Sequence, residues 1–391
     1  MFRSHNQSKL RISSHSENLP PTKSVRYNPI STSRRQRRSR TNGITAVNAK
    51  YNLEQAKRRA QKNPVRFDVQ CAAMRTQAPA GETTKAKFTP PATRPVVLPR
   101  GLQQPAFAEA PAENIRAAFG ASENCAGQLP EFCRDMYKTR GLKMLQTVIS
   151  VSAEIPKNKL PKEMDVLVHD QNPEELPTHM LAVYGQTPGA SPSASTKIDV
   201  KLYPVHAQLY ASHCARLGPF EPSPVTSNSE SIPMPTGNGQ PVKLTLPVRS
   251  IRLPSPQTFP KLSQFLYTKR AEILYDAFLP TPATKFLSAF AEAGSAEPST
   301  SRADEETHSF FTHPQNFSRQ LEFAEELART YTAHTLLERL AVVHGMWMNV
   351  CALGIYDDTL WGIMDGCYEV ILRALAMGSG VDLDAMETDS A

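Results

Sequence analysis

Apolar and weakly polar residues recur every three or four positions late in the chain. Phe317, Leu321, Ala324, Leu327, Tyr331, His334, Leu337, Ala341, His344, Trp347 and Cys351 form one stripe. That spacing predicts a long helix with one buried face, kinked at Gly345, and places His334 and His344 in the core. Gly354 ends this helix, Asp357 or Asp358 starts another, and Leu360 to Met377 completes it. Earlier, "LPSPQTFPKLSQFLYTKRAEILYDAFLP" (253–280) carries a helical stripe with a fault. Phe259, Leu262 and Leu266 lead into Lys269 and Arg270 before Ile273 and Ala277 resume the period. In one reading the helix is continuous and a basic side chain lays its stem along the core. In the preferred reading the first helix ends at Tyr267 or Thr268, a tight turn presents Thr268, Lys269 and Arg270 to solvent, and a second helix spans 271–279. Both readings make the basic pair solvated rather than catalytic.

Upstream the period shortens. "EMDVLVHD" (163–170), "HMLAVYGQ" (179–186) and "KIDVKLY" (197–203) read as strands, the last by its alternation. Pro204 then opens a helix, "PVHAQLYASHCARLG". In "VKLTLPVRSIRLP" (242–254), Pro247 favours an edge strand or two short strands over one central strand. "AENIRAAFG" and "LPEFCRDMYKTRGLKMLQTVISV" read as helices, with a strand at the end of the second. The result is an α+β domain over 113–377, interrupted by loops at 187–196, 219–241 and 293–306, with a short acidic tail over 378–391. Residues 1–112 lack a periodic apolar pattern and read as an arm, disordered in isolation: basic to 66, then rich in Pro, Ala and Thr.

Composition sharpens that division. The chain has 391 residues and 33 prolines, and the net charge of +7 hides a split. Residues 1–66 hold 16 Lys and Arg against Glu17 and Glu54, a net of +14; the remainder holds 28 against 35 acids, a net of −7. A basic arm on an acidic core points to nucleic acid, an anionic surface or an import receptor as the arm's partner. "SRRQRRSR" contributes Arg34, Arg35, Arg37, Arg38 and Arg40, and Lys57, Arg58 and Arg59 follow. The first cluster suffices as an import signal, so nuclear localisation is expected. The six cysteines are dispersed, and "MFRSHNQSKL" has no apolar core, so reduced thiols and an intracellular, non-membrane protein are expected. The apolar run at 340–356 reads as a buried helix.

Candidate chemistry is sparse. His206, His213 and Cys214 lie on one expected helix, and His308 and His313 could join them, but four ligands at metal-site spacing do not emerge. There is no phosphate loop, dinucleotide fingerprint or nucleophile elbow. No cofactor, metal or catalytic residue is therefore assigned. Trp347 and Trp361 read as core anchors that would become partner-binding positions if exposed. With Tyr267, Thr268, Lys269 and Arg270 they make up the candidate partner surface.

Three blocks carry a resemblance: "LYPVHAQLYASHCARLGPF" (202–220), "LPSPQTFPKLSQFLYTKR" (253–270), and the pair "THSFFTHPQNFSRQL" (307–321) and "VVHGMWMNVCALGIYDDTLW" (342–361). Over 160–377 the chain resembles the clampless-type proteins of basidiomycete fungi. The resemblance implies a non-enzymatic regulator of clamp-cell formation and dikaryotic sexual development, downstream of mating-type homeodomain factors, which become candidate partners. At fold level, the strand pair leading into "PVHAQLYASHCARL" and the later helix ending at Tyr267-Thr268 look like a BTB/POZ core. The insertions leave homodimerisation open. The expected function is a nuclear adaptor acting through protein contacts. Direct DNA binding through the arm is the alternative, and a metal-dependent enzyme the weakest one.

Overall fold

The computed structural model describes residues 63–70, 93–120, 130–154, 156, 159–169, 176–185, 199–227, 241–281 and 317–383. Seven strands are present among them: β1 (Val65–Gln70), β2 (Thr93–Leu98), β3 (Val151–Ala153), β4 (Glu163–Val168), β5 (His179–Tyr184), β6 (Val200–Val205) and β7 (Val242–Arg252). The helices are α1 (Ala112–Phe119), α2 (Pro130–Ile149), α3 (Ala207–His213), α4 (Pro224–Ser227), α5 (Phe259–Thr268), α6 (Glu272–Phe278), α7 (Phe317–Thr330), α8 (Ala333–Leu353) and α9 (Asp358–Ser379). The class is α+β, as the pattern of periods implies.

The main sheet has the order β3-β4-β7-β5-β6, so β7 is its central strand, contrary to the sequence expectation. The reason is a change of partner at Pro247. Val242 to Pro247 pair antiparallel with β4, and Val248 to Arg252 pair parallel with β5. The missing N–H of proline falls where one pairing hands over to the next, so the strand tolerates it. The buried face changes as well. Val242, Leu244 and Leu246 join a small cluster with Met164, Val166, Val168 and Met180, whereas Ile251 faces the large helical core with Leu181 and Val183. Pro204 also sits inside a strand, β6, at the sheet edge, and His206 rather than Pro204 precedes α3.

The long C-terminal stripe is two helices. Tyr331 and Thr332 separate α7 from α8, and the Thr332 hydroxyl accepts the Thr335 amide at 3.3 Å as an N-cap. The break resets the helical phase. The buried face of α8 is Leu336, Leu340, Val343, Met346 and Val350, one position off the stripe read from the sequence. His334 consequently lies in solvent beside Glu338, and His344 is half-buried rather than in the core. Gly354 ends α8 with φ 68°, and Asp357 caps α9 through the Leu360 amide at 3.0 Å, both as expected. The helix α8 is long and apolar enough to cross a membrane by length and composition; here it packs on α9 and α6.

The expected arm boundary at 112 is also corrected. The strands β1 and β2 form an antiparallel hairpin, and Val65, Phe67 and Val69 are buried. The segment after β2 crosses the C-terminal helices as a strap. Arg100 forms a buried ion pair with Glu369 of α9, which also accepts from Arg373 Nε at 2.7 Å. The Tyr368 hydroxyl donates to the Pro99 carbonyl at 2.7 Å, and the Trp347 indole donates to that of Gln103 at 2.9 Å. Three alternating apolar residues are too few to bury one another. The surface that covers them belongs to a helix nearly 300 positions later, which no local pattern reveals.

The closest backbone approach lies between α2 and the end of α5. A Cβ added at Gly141 would stand 1.7 Å from the Tyr267 carbonyl oxygen. Gly141→Ala is therefore expected to lower the melting temperature by more than about 5 °C, because one of two packed backbones must move. Gly378→Ala, whose nearest neighbour would be 4.0 Å away, serves as the control. It should hold stability or raise it by about 1 kcal/mol through helix propensity. Thermal melts of the two variants beside the parent measure both.

Candidate functional site

The fault at 269–270 is a helix terminus, as preferred from the sequence. The helix α5 closes when the Lys269 amide donates to the Phe265 carbonyl at 2.7 Å, and α6 begins at Glu272. Lys269 has φ 54°, the left-handed conformation that usually selects glycine at this position. It is the single positive-φ residue other than glycine among the described residues. A lysine there costs roughly 1 kcal/mol against glycine, so its side chain must return something.

That return is an ion pair. Lys269 Nζ donates to Asp357 Oδ2 at 2.9 Å, with both side chains less than a fifth exposed (17% and 16%). Asp357 spends its other oxygen, Oδ1, on the α9 cap. Burial alone would push the Asp357 carboxyl up, but Lys269 and the Leu360 amide hold it below the usual range. Burial draws the Lys269 ammonium below its ordinary value, against the pull of Asp357. The expectation that Lys269 is solvated is therefore corrected. Arg270 does lie in solvent, beside Glu272 at 3.3 Å.

Around this pair is a polar cleft of about 360 Å³. One face of α2 supplies Glu131, Arg134, Asp135 and Lys138; α3 ends in it at His213; Phe265 and Lys269 come from α5, and Tyr356 to Thr359 from the start of α9. The elements converge because the chain after α3 pairs with the α8–α9 turn. Cys214 bridges Ile355, and the Arg216 amide donates to the Leu353 carbonyl at 3.0 Å. Arg134 Nη1 donates to the Ser212 carbonyl at 3.0 Å, which lays α2 along the same edge. Asp135 and Lys138 pair at 2.7 Å. His213 is buried, and among the described residues neither ring nitrogen has a hydrogen-bond partner. Burial, then the field of Lys269, holds its imidazole far toward the neutral form; Asp357 opposes this and Arg134 and Lys138 add to it.

The other sequence-derived site residues fare differently. Tyr267 and Trp361 are buried and leave the candidate partner surface. The Tyr267 hydroxyl accepts the His206 amide at 3.0 Å and lies 2.9 Å from His206 Nδ1; Trp361 donates to the Ile355 carbonyl at 3.3 Å. Thr268 is half-buried and donates to the Gln264 carbonyl at 2.8 Å, and Trp347 is half-buried under the strap. Arg34, Arg35, Arg37, Arg38, Arg40, Lys57, Arg58 and Arg59 lie outside the described residues, as do His308 and His313. His206 is committed to Tyr267, and burial pushes the Cys214 thiol up to about 12, so the histidine–cysteine set is not presented as ligands. Among the described residues no group of three His, Cys, Asp or Glu is placed to hold a metal ion. Sequence reading did not connect Arg134, Lys138 and Asp357 to this site, because they come from three separate stretches. The only local signal was a lysine standing where a helix-ending glycine belongs.

Two family models match the chain on either side of the stretch that carries Lys269. Residues 105–254 match the family model of the Clampless protein 1 N-terminal domain, and residues 272–391 match that of the Clampless protein 1 C-terminal domain. No curated protein and no solved structure matches, so the BTB/POZ similarity is not shown.

Two consequences are measurable. Lys269→Met should cost about 3–5 kcal/mol in urea unfolding, because it strands the buried Asp357 carboxylate. Lys269→Met combined with Asp357→Asn should recover much of that loss, since asparagine still caps α9. The second consequence concerns acid. His179 Nε2 donates to the Glu221 carbonyl at 2.9 Å, and burial lowers its pKa to about 4 from 6.5. His213 is shifted in the same direction. Both histidines are neutral when folded and take up protons on unfolding. Stability is thus full above pH about 6.5 and falls as pH drops toward about 4, by up to roughly 1.4 kcal/mol per pH unit for each histidine. Urea midpoints between pH 7.5 and 5 should show the decline, and His213→Gln should shallow it.

Proposed function

We propose, from the premise that this chain belongs to the clampless protein family, that it serves clamp formation as a nuclear adaptor. The two family domains tie the chain to the regulation of clamp formation; nuclear action and protein contacts are our reading. The observation that carries it is the exposure of large apolar side chains along α2. Phe132 is 53% exposed, Leu142 53% and Ile149 73%, on the helix that also lines the polar cleft. Large apolar side chains in solvent beside hydrogen-bonding groups have the makeup of a partner-binding patch. The acidic remainder of the chain favours a protein partner over nucleic acid for this face, and mating-type homeodomain factors are the candidates. The basic arm would engage an import receptor, and the reading assigns no bond-making step to the core.

A second reading rests on the arm. Sixteen basic residues against two acids in 66 positions could bind DNA directly. Removing residues 1–62, which spares β1, discriminates the two: DNA binding that survives with unchanged salt dependence excludes the arm as its source.

The adaptor reading is tested in hyphae with the tagged full chain. Replacing Arg34, Arg35, Arg37, Arg38 and Arg40 by Ala should deplete nuclear signal and clamps together, and an appended import signal should restore both. Phe132→Asp with Ile149→Asp should leave nuclear signal intact but reduce recovery of a tagged homeodomain factor about tenfold or more. Undiminished recovery from the double variant would overturn the assignment of this face.

A further inference from the structure

His213 lines the cleft, is 4% exposed, and uses neither ring nitrogen on a described residue. Leaving such a group unpaired is costly, so it serves a ligand or water. The charged groups around it are largely spent. Lys269 is tied to Asp357 and Lys138 to Asp135. Arg134 uses Nη1 on the Ser212 carbonyl, the residue before His213, and a guanidinium retains further donors. The groups acting on the imbalance at the imidazole are three cations, Lys269, Arg134 and Lys138, against one anion, Asp357.

We propose that this cleft binds a single carboxylate group, held by Arg134 and His213, and that the carboxylate is the acidic side chain of a protein partner. The source of the carboxylate rests on the adaptor reading; the chemistry of the cleft does not. A carboxylate accepts from the Arg134 fork and from an imidazole N–H. The lining also selects the size of the charge. Glu131, Asp135 and Asp358 belong to the same cleft, and burial and Asp357 already press the Asp358 carboxyl upward. One negative charge meets the unspent donors; a phosphate dianion adds a second that faces these acids. Glu131, which lines the cleft, precedes the exposed Phe132 on α2, so a partner resting on this end of the helix would bring its acidic side chain within reach.

The test uses the full chain labelled with ¹⁵N, reading the histidine ring nitrogens by NMR. The probes are acetyl-glutamate N-methylamide, its neutral glutamine counterpart, acetate and inorganic phosphate, each to about 50 mM. His213→Gln assigns the ring signal. The glutamate probe should shift it saturably, with a dissociation constant in the millimolar range, while the glutamine probe should bind at least about tenfold more weakly. Arg134→Gln should abolish the response while the His213 signal and the melting curve persist. No saturable shift, or an equal response to glutamine, would assign the cleft to water and overturn the proposal. Phosphate binding as tightly as glutamate would overturn the carboxylate assignment. Acetate binding more tightly than the glutamate probe would assign the site to a free acid and overturn the partner half. None of these outcomes depends on recovery of the homeodomain factor, so the adaptor reading stands or falls separately.

Discussion

The end of α5 joins the parts of the molecule that sequence comparison separates, and it does so through Tyr267 and Lys269. The Tyr267 carbonyl rests against the Gly141 backbone on α2, and the Tyr267 hydroxyl accepts the amide that precedes α3. Lys269 then turns into the left-handed region and places its ammonium on Asp357, which caps α9. The stretch between the two family models, 255–271, carries the lysine, and the C-terminal half carries the aspartate. A second tie starts in the same stretch. Asn349 of α8 accepts the Ser255 amide at 3.0 Å and donates to the Ser255 carbonyl at 2.6 Å. A glycine at 269 would relax the backbone but would leave Asp357 buried without its cation. The cost of the unpaired charge is several times the cost of the strained φ, which is why lysine holds the position.

The strap works by the same logic from the opposite end of the chain. Arg100 is buried because Glu369 is, and Glu369 is also held by Arg373 one turn later in α9. A buried carboxylate with two guanidinium partners gains hydrogen bonds that offset desolvation, and it fixes where the strap lies on α9. The three apolar residues of β1 then need only a surface already in place. Within the expected arm, residues 63–70 and 93–112 are thus built into the fold.

Local signals made much of this legible. Gly354 and Asp357 gave the end of one helix and the start of the next because caps are single-residue chemistry. The strand composition of "EMDVLVHD" gave β4, one of whose faces is open to water. The remainder depended on distant partners. Pro247 argues against a central strand only if one neighbour pairs along its whole length, and here two neighbours share it. The stripe through α7 and α8 looked continuous because two successive amphipathic helices can imitate one. The cleft was beyond reach for a similar reason. Residues 131–138, 213, 269 and 357 meet only after α3, α5 and α9 have docked.

Placing a neutral histidine among fixed ion pairs has a consequence for how such a site can work. The paired groups, Lys269 with Asp357 and Lys138 with Asp135, set the field but have little left to offer a newcomer. His213 and Arg134 keep donors in reserve, and the ring stays neutral because burial, and then the field of Lys269, disfavours its charged form. An arriving anion changes that field at its source. It weakens the penalty on the imidazolium, so occupancy and proton uptake favour each other by linkage. Under the carboxylate proposal the buried pairs hold the geometry of the cleft, and the His213 imidazole would respond to the charge of the group that arrives.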